Sequence, residues 1–274
     1  MSRILSSLDS NLVGRDNAGK LISRGGFRSG DHGKQFDVPS PSTVVQFDDF
    51  VGDVLNDPWN AVEGTDTTGS TQLVLAGAIG GALRLATGDD DANGTHLTDL
   101  TGVTSYLNWQ ASNGGLNVQA RVKLSRITLA YLFIGFTDVI TAEVPINGTN
   151  GADTIATTAT DAVGFMFDTG MTTAGMRLVG VATDVDATIQ NIGSTYSPVA
   201  DDYATYRVEL STTGVASFFI NGVQVGATMT GAVTAGADLT PCIYASNLDG
   251  TSAFNCDIDY IHVSMARAAD GDAT

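Results

Sequence analysis

The sequence predicts an all-β sandwich, and three observations predict it. Glu occurs only at Glu63, Glu143 and Glu209, and Lys only at Lys20, Lys34 and Lys123, so polar helix formers are nearly absent. Thr, Val, Gly, Asp and Asn stand in their place, which is the chemistry of strands and turns. From Val44 onward, apolar runs are broken by Gly, Asn and Asp at short intervals, the texture of sandwiches and barrels. With 274 residues, 43% of them hydrophobic, the chain has enough apolar mass for one large core, and single all-β domains commonly reach about 200–250 residues.

Residues 1–43 read differently. Gly14, Gly19, Gly25, Gly26, Gly30 and Gly33 punctuate them, Pro39-Ser-Pro41-Ser closes them, and they show neither helical nor strand periodicity. The sequence therefore predicts an extended N-terminal arm (1–43), a sandwich (44–266) and a short tail (267–274). In the sandwich, Leu116-Asn-Val118-Gln-Ala120-Arg-Val122-Lys-Leu124 alternates strictly, placing five apolar side chains on one face. Tyr206-Arg-Val208-Glu-Leu210 gives another such face. Ala130–Phe136 and Val163–Phe167 are continuous apolar runs, expected as central strands covered on both sides. Shorter strands are expected at Val44–Phe50, Gln72–Leu75, Ala82–Ala86, Ser105–Trp109, Gly175–Val181, Pro241–Ala245 and Phe254–Met265. Asn221-Gly222, between Val215–Ile220 and Val223–Ala227, fits a type I′ hairpin turn. A second hairpin is expected to join Pro241–Ala245 to Phe254–Met265; a turn centred near Asp249 sets Cys242 opposite Cys256. Opposed positions are about 4.5–5.5 Å apart at Cα, within disulfide reach, whereas cytoplasmic synthesis favours a reduced thiol pair.

Charge divides the chain at the same point. Six of the 13 basic residues (Arg3, Arg15, Lys20, Arg24, Arg28, Lys34) and four of the 30 acidic ones precede residue 44, leaving the arm about +2 and the rest about −19. An acidic body repels nucleic acid and anionic membranes, and the basic arm is expected to reach a more acidic surface than its own. No run approaches the roughly 20 apolar residues of a membrane span. The first residues, Met1-Ser-Arg-Ile-Leu-Ser-Ser-Leu-Asp, lack the apolar core of a signal peptide, which predicts synthesis and retention in a cytoplasm until release. Asn93-Gly-Thr and Asn147-Gly-Thr are read as turns.

Val45-Gln-Phe47-Asp-Asp-Phe50, Leu132-Phe-Ile-Gly-Phe136-Thr-Asp138, Tyr206-Arg-Val-Glu-Leu210 leading to Phe218-Phe-Ile-Asn-Gly-Val223, and Cys256-Asp-Ile-Asp-Tyr-Ile-His-Val-Ser264 together resemble the concanavalin A-like (laminin G-like) jelly roll across about residues 44–266. The fold class expected is therefore an all-β, concanavalin A-like jelly-roll sandwich with an extended N-terminal arm. Similar domains with short polar arms occur in tailed-phage virion proteins. The resemblance thus implies a non-enzymatic phage virion structural protein, a capsid decoration (cement) protein on the capsid exterior, synthesised in the host cytoplasm. Its expected partner is the major capsid protein, contacted through Ile4, Leu5, Leu8, Leu12, Arg15, Leu21, Arg24 and Arg28, and a homo-oligomer, a trimer, suits a shell fitting. An arm spans up to about 3.3 Å per residue, and several arms on one oligomer raise avidity. Its alternative is a glycan-binding adhesin or fibre module for host recognition, contacting sugars through Trp59 and Trp109, although tryptophan is more often buried.

The residues offer little for catalysis. Glycoside hydrolases of this fold typically carry Glu-x-Asp-x-Glu on one strand and set two carboxylates about 5–5.5 Å apart when they retain configuration. Here the glutamates are far apart, and Asp257-Ile-Asp259 is read as an exposed strand face. His32, His96 and His262 are scattered, without zinc-site spacing. No enzyme activity and no cofactor are expected. Asp89, Asp90, Asp91 and Asn93 offer oxygen ligands that calcium accepts, or else form a solvated acidic loop.

Overall fold

The computed structural model describes residues 13–15, 21–23 and 43–266, except 53, 56–57, 64–69, 76, 79, 90–93, 102–103, 106–107, 140–142 and 249–251. The chain divides into two units, Met1–Thr43 and Val44–Thr274. In the first, Val13–Arg15 pairs antiparallel with Leu21–Ser23, Arg15 standing opposite Leu21. A segment predicted to lack strands thus contains a strand pair, because three residues are too few for the alternation that marks a strand in sequence.

Two eight-stranded sheets build the second unit, and its jelly-roll sandwich matches the expected fold. Sheet I runs in spatial order Val223–Met229, Ala216–Ile220, Ala204–Leu210, Leu116–Leu124, Asn255–Ala266, Leu83–Ala86 and Thr71–Val74, with Thr43–Asp48 also on Asn255–Ala266. Sheet II runs Val185–Asp186, Met176–Ala182, Ala162–Asp168, Ala130–Thr137, Thr240–Asn247, Gly94–Thr98 and Asn60–Glu63, with Gln190–Gly193 also on Met176–Ala182. The period of two decides which side chains face inward. Leu116, Val118, Ala120, Val122 and Leu124 enter the inter-sheet core from sheet I with Tyr206, Val208, Leu210 and Phe218. Leu132, Ile134 and Phe136 meet them from sheet II with Phe165 and Phe167. Phe165 stands edge-on to both Tyr206 and Phe218, with centroids 5.3 and 5.5 Å away, an arrangement that aligns ring edges with ring faces.

Ala130–Thr137 and Ala162–Asp168 are buried at every position, as their continuous apolar runs require. Their outward side chains form a second cluster, in which Tyr131, Phe133, Met166, Val179, Cys242 and Tyr244 are covered by Ile146, Ala159 and Met171 from the connecting segments. Gly164 is part of this packing, since a Cβ there would lie 2.9 Å from the Phe133 ring. The Asn221-Gly222 turn forms as expected, with φ of 50° and 81°, joining Ala216–Ile220 to Val223–Met229.

The second expected hairpin does not form. Thr240–Asn247 pairs with Ala130–Thr137 and Gly94–Thr98 in sheet II, whereas Asn255–Ala266 pairs with Leu116–Leu124 and Leu83–Ala86 in sheet I. The linking residues cross from one sheet to the other, so a register rule for hairpins does not apply. Cys242 lies in the outer cluster of sheet II and Cys256 in the inter-sheet core, and both are free thiols. Burial pushes the Cys242 thiol up to about 12, leaving it protonated and inert at neutral pH. Of the two Asn-Gly-Thr segments, Asn93 lies outside the described residues while Gly94 and Thr95 open the strand Gly94–Thr98, and Asn147 lies in the short strand Ile146–Gly148 rather than in a turn. Ser105–Trp109 is likewise broken, into Thr104–Ser105 and a single bridge from Trp109 to Leu239.

Candidate functional site

The two sheets present opposite outer surfaces. That of sheet II is sealed by its apolar cluster and by polar ties over it. Asp168 accepts from the backbone N–H of Gly148 at 3.0 Å and of Gly170 at 2.7 Å, and buried Arg177 binds Asp153 at 2.6 Å. Among the described residues no apolar cluster covers the outer face of sheet I, and the strand register arranges that face in rows. Phe219 stands opposite Arg207, Arg207 opposite Gln119, and Gln119 opposite His262. One row over, Thr205 faces Arg121 and Arg121 faces Tyr260; beyond it Lys123 faces Asp257, Asp257 faces Arg84, and Arg84 faces Leu73.

Phe47, 43% exposed, extends these rows into an aromatic strip, its ring 6.2 Å from Tyr260 and 6.5 Å from His262. Gln119 Nε2 donates to the Tyr260 hydroxyl at 2.8 Å. Arg121 and Lys123 both lie over the Tyr203 ring, 4.4 and 5.0 Å from its centre, and Arg207 lies 4.0 Å over Phe219. Such stacking holds long side chains extended across the sheet.

Beneath them sits Asp257, only 2% exposed. Arg84 grips it with two bonds, Nε to Oδ1 at 2.7 Å and Nη2 to Oδ2 at 2.9 Å, while Lys123 Nζ lies 3.2 Å from Oδ2. Burial raises this carboxyl, but the Arg84 and Lys123 hydrogen bonds and charges outweigh it and hold the group below the usual range. The expected exposed Asp257/Asp259 strand face is thus corrected. A bulge between Arg121 and Val122 makes Asp259 an extra residue, which binds Arg121 at 2.8 Å, and Asp257 is a buried counter-ion rather than half of a catalytic pair.

Trp59 and Trp109 are also corrected as sugar platforms. They are 4% and 0% exposed, both in the inter-sheet core, and the Trp109 indole N–H donates to Asp99 at 2.7 Å. Ile4, Leu5, Leu8, Leu12, Arg24 and Arg28 lie outside the described residues, as do Asp90, Asp91 and Asn93 of the calcium loop; Asp89 is exposed. Among the described residues, no three His, Cys, Asp or Glu side chains group as metal ligands. One carboxylate neighbour relation stands apart: burial raises Asp138, and the Asp161 charge raises it further against the backbone donors that lower it. The open-face aromatics are not evident in the sequence because they come from three distant segments, Phe47 from one, Tyr203 from another, and Tyr260 with His262 from a third. The polar phase of Leu116–Leu124, reading Asn117, Gln119, Arg121 and Lys123, was the one local signal for them.

No family model matches the chain, and no curated protein matches it. Solved structures do share its fold. The carbohydrate recognition domain of Emp47p is 9% identical, with 84% of this chain and 100% of that one covered at a TM-score of 0.54. A lichenase derived from a mouse hindgut metagenome is 12% identical over 80% and 98%, with a TM-score of 0.54. The Bacillus licheniformis β-glucanase is 14% identical over 80% and 97%, with a TM-score of 0.53. These likenesses define a concanavalin A-like jelly-roll sandwich. They also overturn the expectation that the chain is not an enzyme, because glucanases are built on this same sandwich.

Proposed function

We propose that the sandwich is a glycan-binding module and that the open face of sheet I is its binding surface. The aromatic strip of Phe47, Tyr260 and His262 beside Gln119 and Arg121 carries this reading. Sugar rings pair apolar C–H faces with hydroxyl edges, so a recognition surface needs aromatic planes for one and a few fixed hydrogen-bonding groups for the other. The likeness to a carbohydrate recognition domain and to glucanases supports the reading at the level of fold. Binding with or without turnover is covered by it, and a glycan array followed by a reducing-end assay on each ligand tests both. The wild type binds at least one class of oligosaccharide; Phe47→Ala and Tyr260→Ala each weaken that binding about tenfold, in line with about 1–1.5 kcal/mol for an aromatic contact. Unchanged binding by both variants would remove the surface from the account.

The charge asymmetry between residues 1–43 and the remainder favours a second, compatible reading. In it the chain is a phage virion protein, made in the host cytoplasm and displayed on the capsid exterior as a homotrimer. Ile4, Leu5, Leu8, Leu12, Arg15, Leu21, Arg24 and Arg28 anchor it to the major capsid protein, and the arm's basic residues meet carboxylates on the shell. Full-length protein then co-sediments with undecorated particles of a matched virus. The Arg15→Glu, Arg24→Glu, Arg28→Glu triple variant stays in the supernatant, and equal pelleting of the two proteins would refute the attachment.

A further inference from the structure

The open face differs from the rest of the sandwich in charge. Residues 44–266 contain six basic residues, Arg84, Arg121, Lys123, Arg126, Arg177 and Arg207. Register places four of them, Arg84, Arg121, Lys123 and Arg207, on the outer side of sheet I. The acids among them are Glu209, Asp257 and Asp259, so the face is about +1 on a unit that is about −19 without the arm. Depth matters as well as number. The Asp257 side chain is 3% exposed, whereas those of Arg84, Arg121, Lys123 and Arg207 are 35, 40, 23 and 29% exposed. One of the three acids, Asp257, lies under Arg84 and Lys123, while Asp259 and Glu209 are 20 and 42% exposed beside Arg121 and Arg207, and the outer edges of all four cations reach solvent.

We infer that this face takes anionic polysaccharides, chains bearing carboxylate or sulfate groups, with Arg84, Arg121, Lys123 and Arg207 as the residues that select them. The inference rests on the glycan-binding reading and adds the ligand's charge to it. A surface meant only for neutral sugar needs stacking and hydrogen bonds, and in a protein this poor in Lys and Arg it has no need of four cations. Arg presents a planar fork of N–H donors matched to carboxylate and sulfate oxygens, and Lys a compact point charge. Tyr203 holds Arg121 and Lys123 side by side, so one anionic residue of a chain meets two donors without a further ordering cost. The acidic remainder of the unit repels an anionic chain elsewhere and restricts it to this strip. Because the face is open, its ionic contacts are screened by salt.

The test uses the full-length protein in affinity electrophoresis and titration calorimetry against laminarin (neutral), polygalacturonate (carboxylate) and chondroitin sulfate (sulfate), at 20 and 300 mM sodium chloride. At least one anionic chain is expected to bind tenfold or more tightly than laminarin and to lose most of that margin at the higher salt. Lys123→Gln with Arg207→Gln should remove about tenfold of the anionic affinity and leave laminarin unchanged, while Phe47→Ala weakens every ligand alike. Arg207→Gln alone, on the far side of Gln119, gives the same selective loss should the double variant fail to fold, and Arg126→Gln, off the face, changes nothing. Equal binding of neutral and anionic chains would overturn this inference and leave glycan binding standing. Binding to none of the three chains, or to other glycans in the array, would overturn both readings together. Anionic binding indifferent to all the cation variants would overturn the inference alone. Whichever of polygalacturonate and chondroitin sulfate binds identifies the anionic group.

Discussion

Replacing Asp99 by alanine lowers the thermal unfolding midpoint by roughly 10 °C. Asp99 is fully buried, and its carboxylate receives the Trp109 indole N–H on one oxygen and the Thr240 hydroxyl on the other. Both donors are at most 1% exposed, so water cannot replace the lost acceptor. The Thr240 hydroxyl retains the Pro241 carbonyl at 3.4 Å, so the Trp109 N–H is the donor left without a partner, at about 1–3 kcal/mol, and the cavity of the missing carboxyl brings the loss to about 3–4 kcal/mol. For a domain of this size about 1 kcal/mol moves the midpoint by about 2–4 °C. Asp99→Asn keeps one acceptor oxygen and should show about half the effect. Denaturant melts of the three proteins check the ranking, and an alanine variant as stable as the wild type would mean that Trp109 is not held this way. The outcome bears on function, because the bond to Asp99 is what keeps this indole inside the core and away from any sugar.

His96 supplies the second large effect, read through pH. Its side chain is 2% exposed, stacks on Tyr244 at 6.3 Å, and has no hydrogen-bond partner on either nitrogen among the described residues. Burial lowers it from 6.5 to about 4. Between those values the unfolded chain binds a proton that the folded chain refuses, so this site's contribution to stability is whole above pH 6.5 and is lost as pH falls to about 4. The gap corresponds to about 3 kcal/mol, or roughly 6–12 °C in the midpoint. His96→Phe keeps the stacked ring and removes the titration. Relative to the variant, the wild type should lose that margin between pH 7 and pH 4, while other titrating groups cancel in the comparison. Parallel pH curves for the two proteins would show that His96 is hydrated or paired.

What the sequence made legible follows from how far each signal reaches along the chain. Leu116–Leu124 alternates because one of its faces is core and the other is the open surface, and Asn221-Gly222 turns because two positive φ values are needed in succession. Both signals are local. Ala130–Phe136 announced a strand covered on both sides but not its cover, which comes from Ile146, Ala159 and Met171 on separate segments. The cysteine pairing failed for a related reason, since a hairpin and a crossing between sheets share the same strand–loop–strand pattern. Trp59 and Trp109 sit in polar stretches, and only long-range contacts, such as Trp109 with Asp99 and Leu239, draw them inward. The candidate site is the least legible part, because a row such as Phe219, Arg207, Gln119 and His262 takes one residue from each of four strands.

The sheet I surface is tested most directly by amide chemical-shift mapping of the full-length protein titrated with the oligosaccharide that binds best. The largest shifts are expected to gather on Phe47, Gln119, Arg121, Tyr260 and His262, with the strands of sheet II unmoved. Shifts centred on sheet II, or on the end of the sandwich near Asp138 and Asp161, would contradict this expectation and relocate the site.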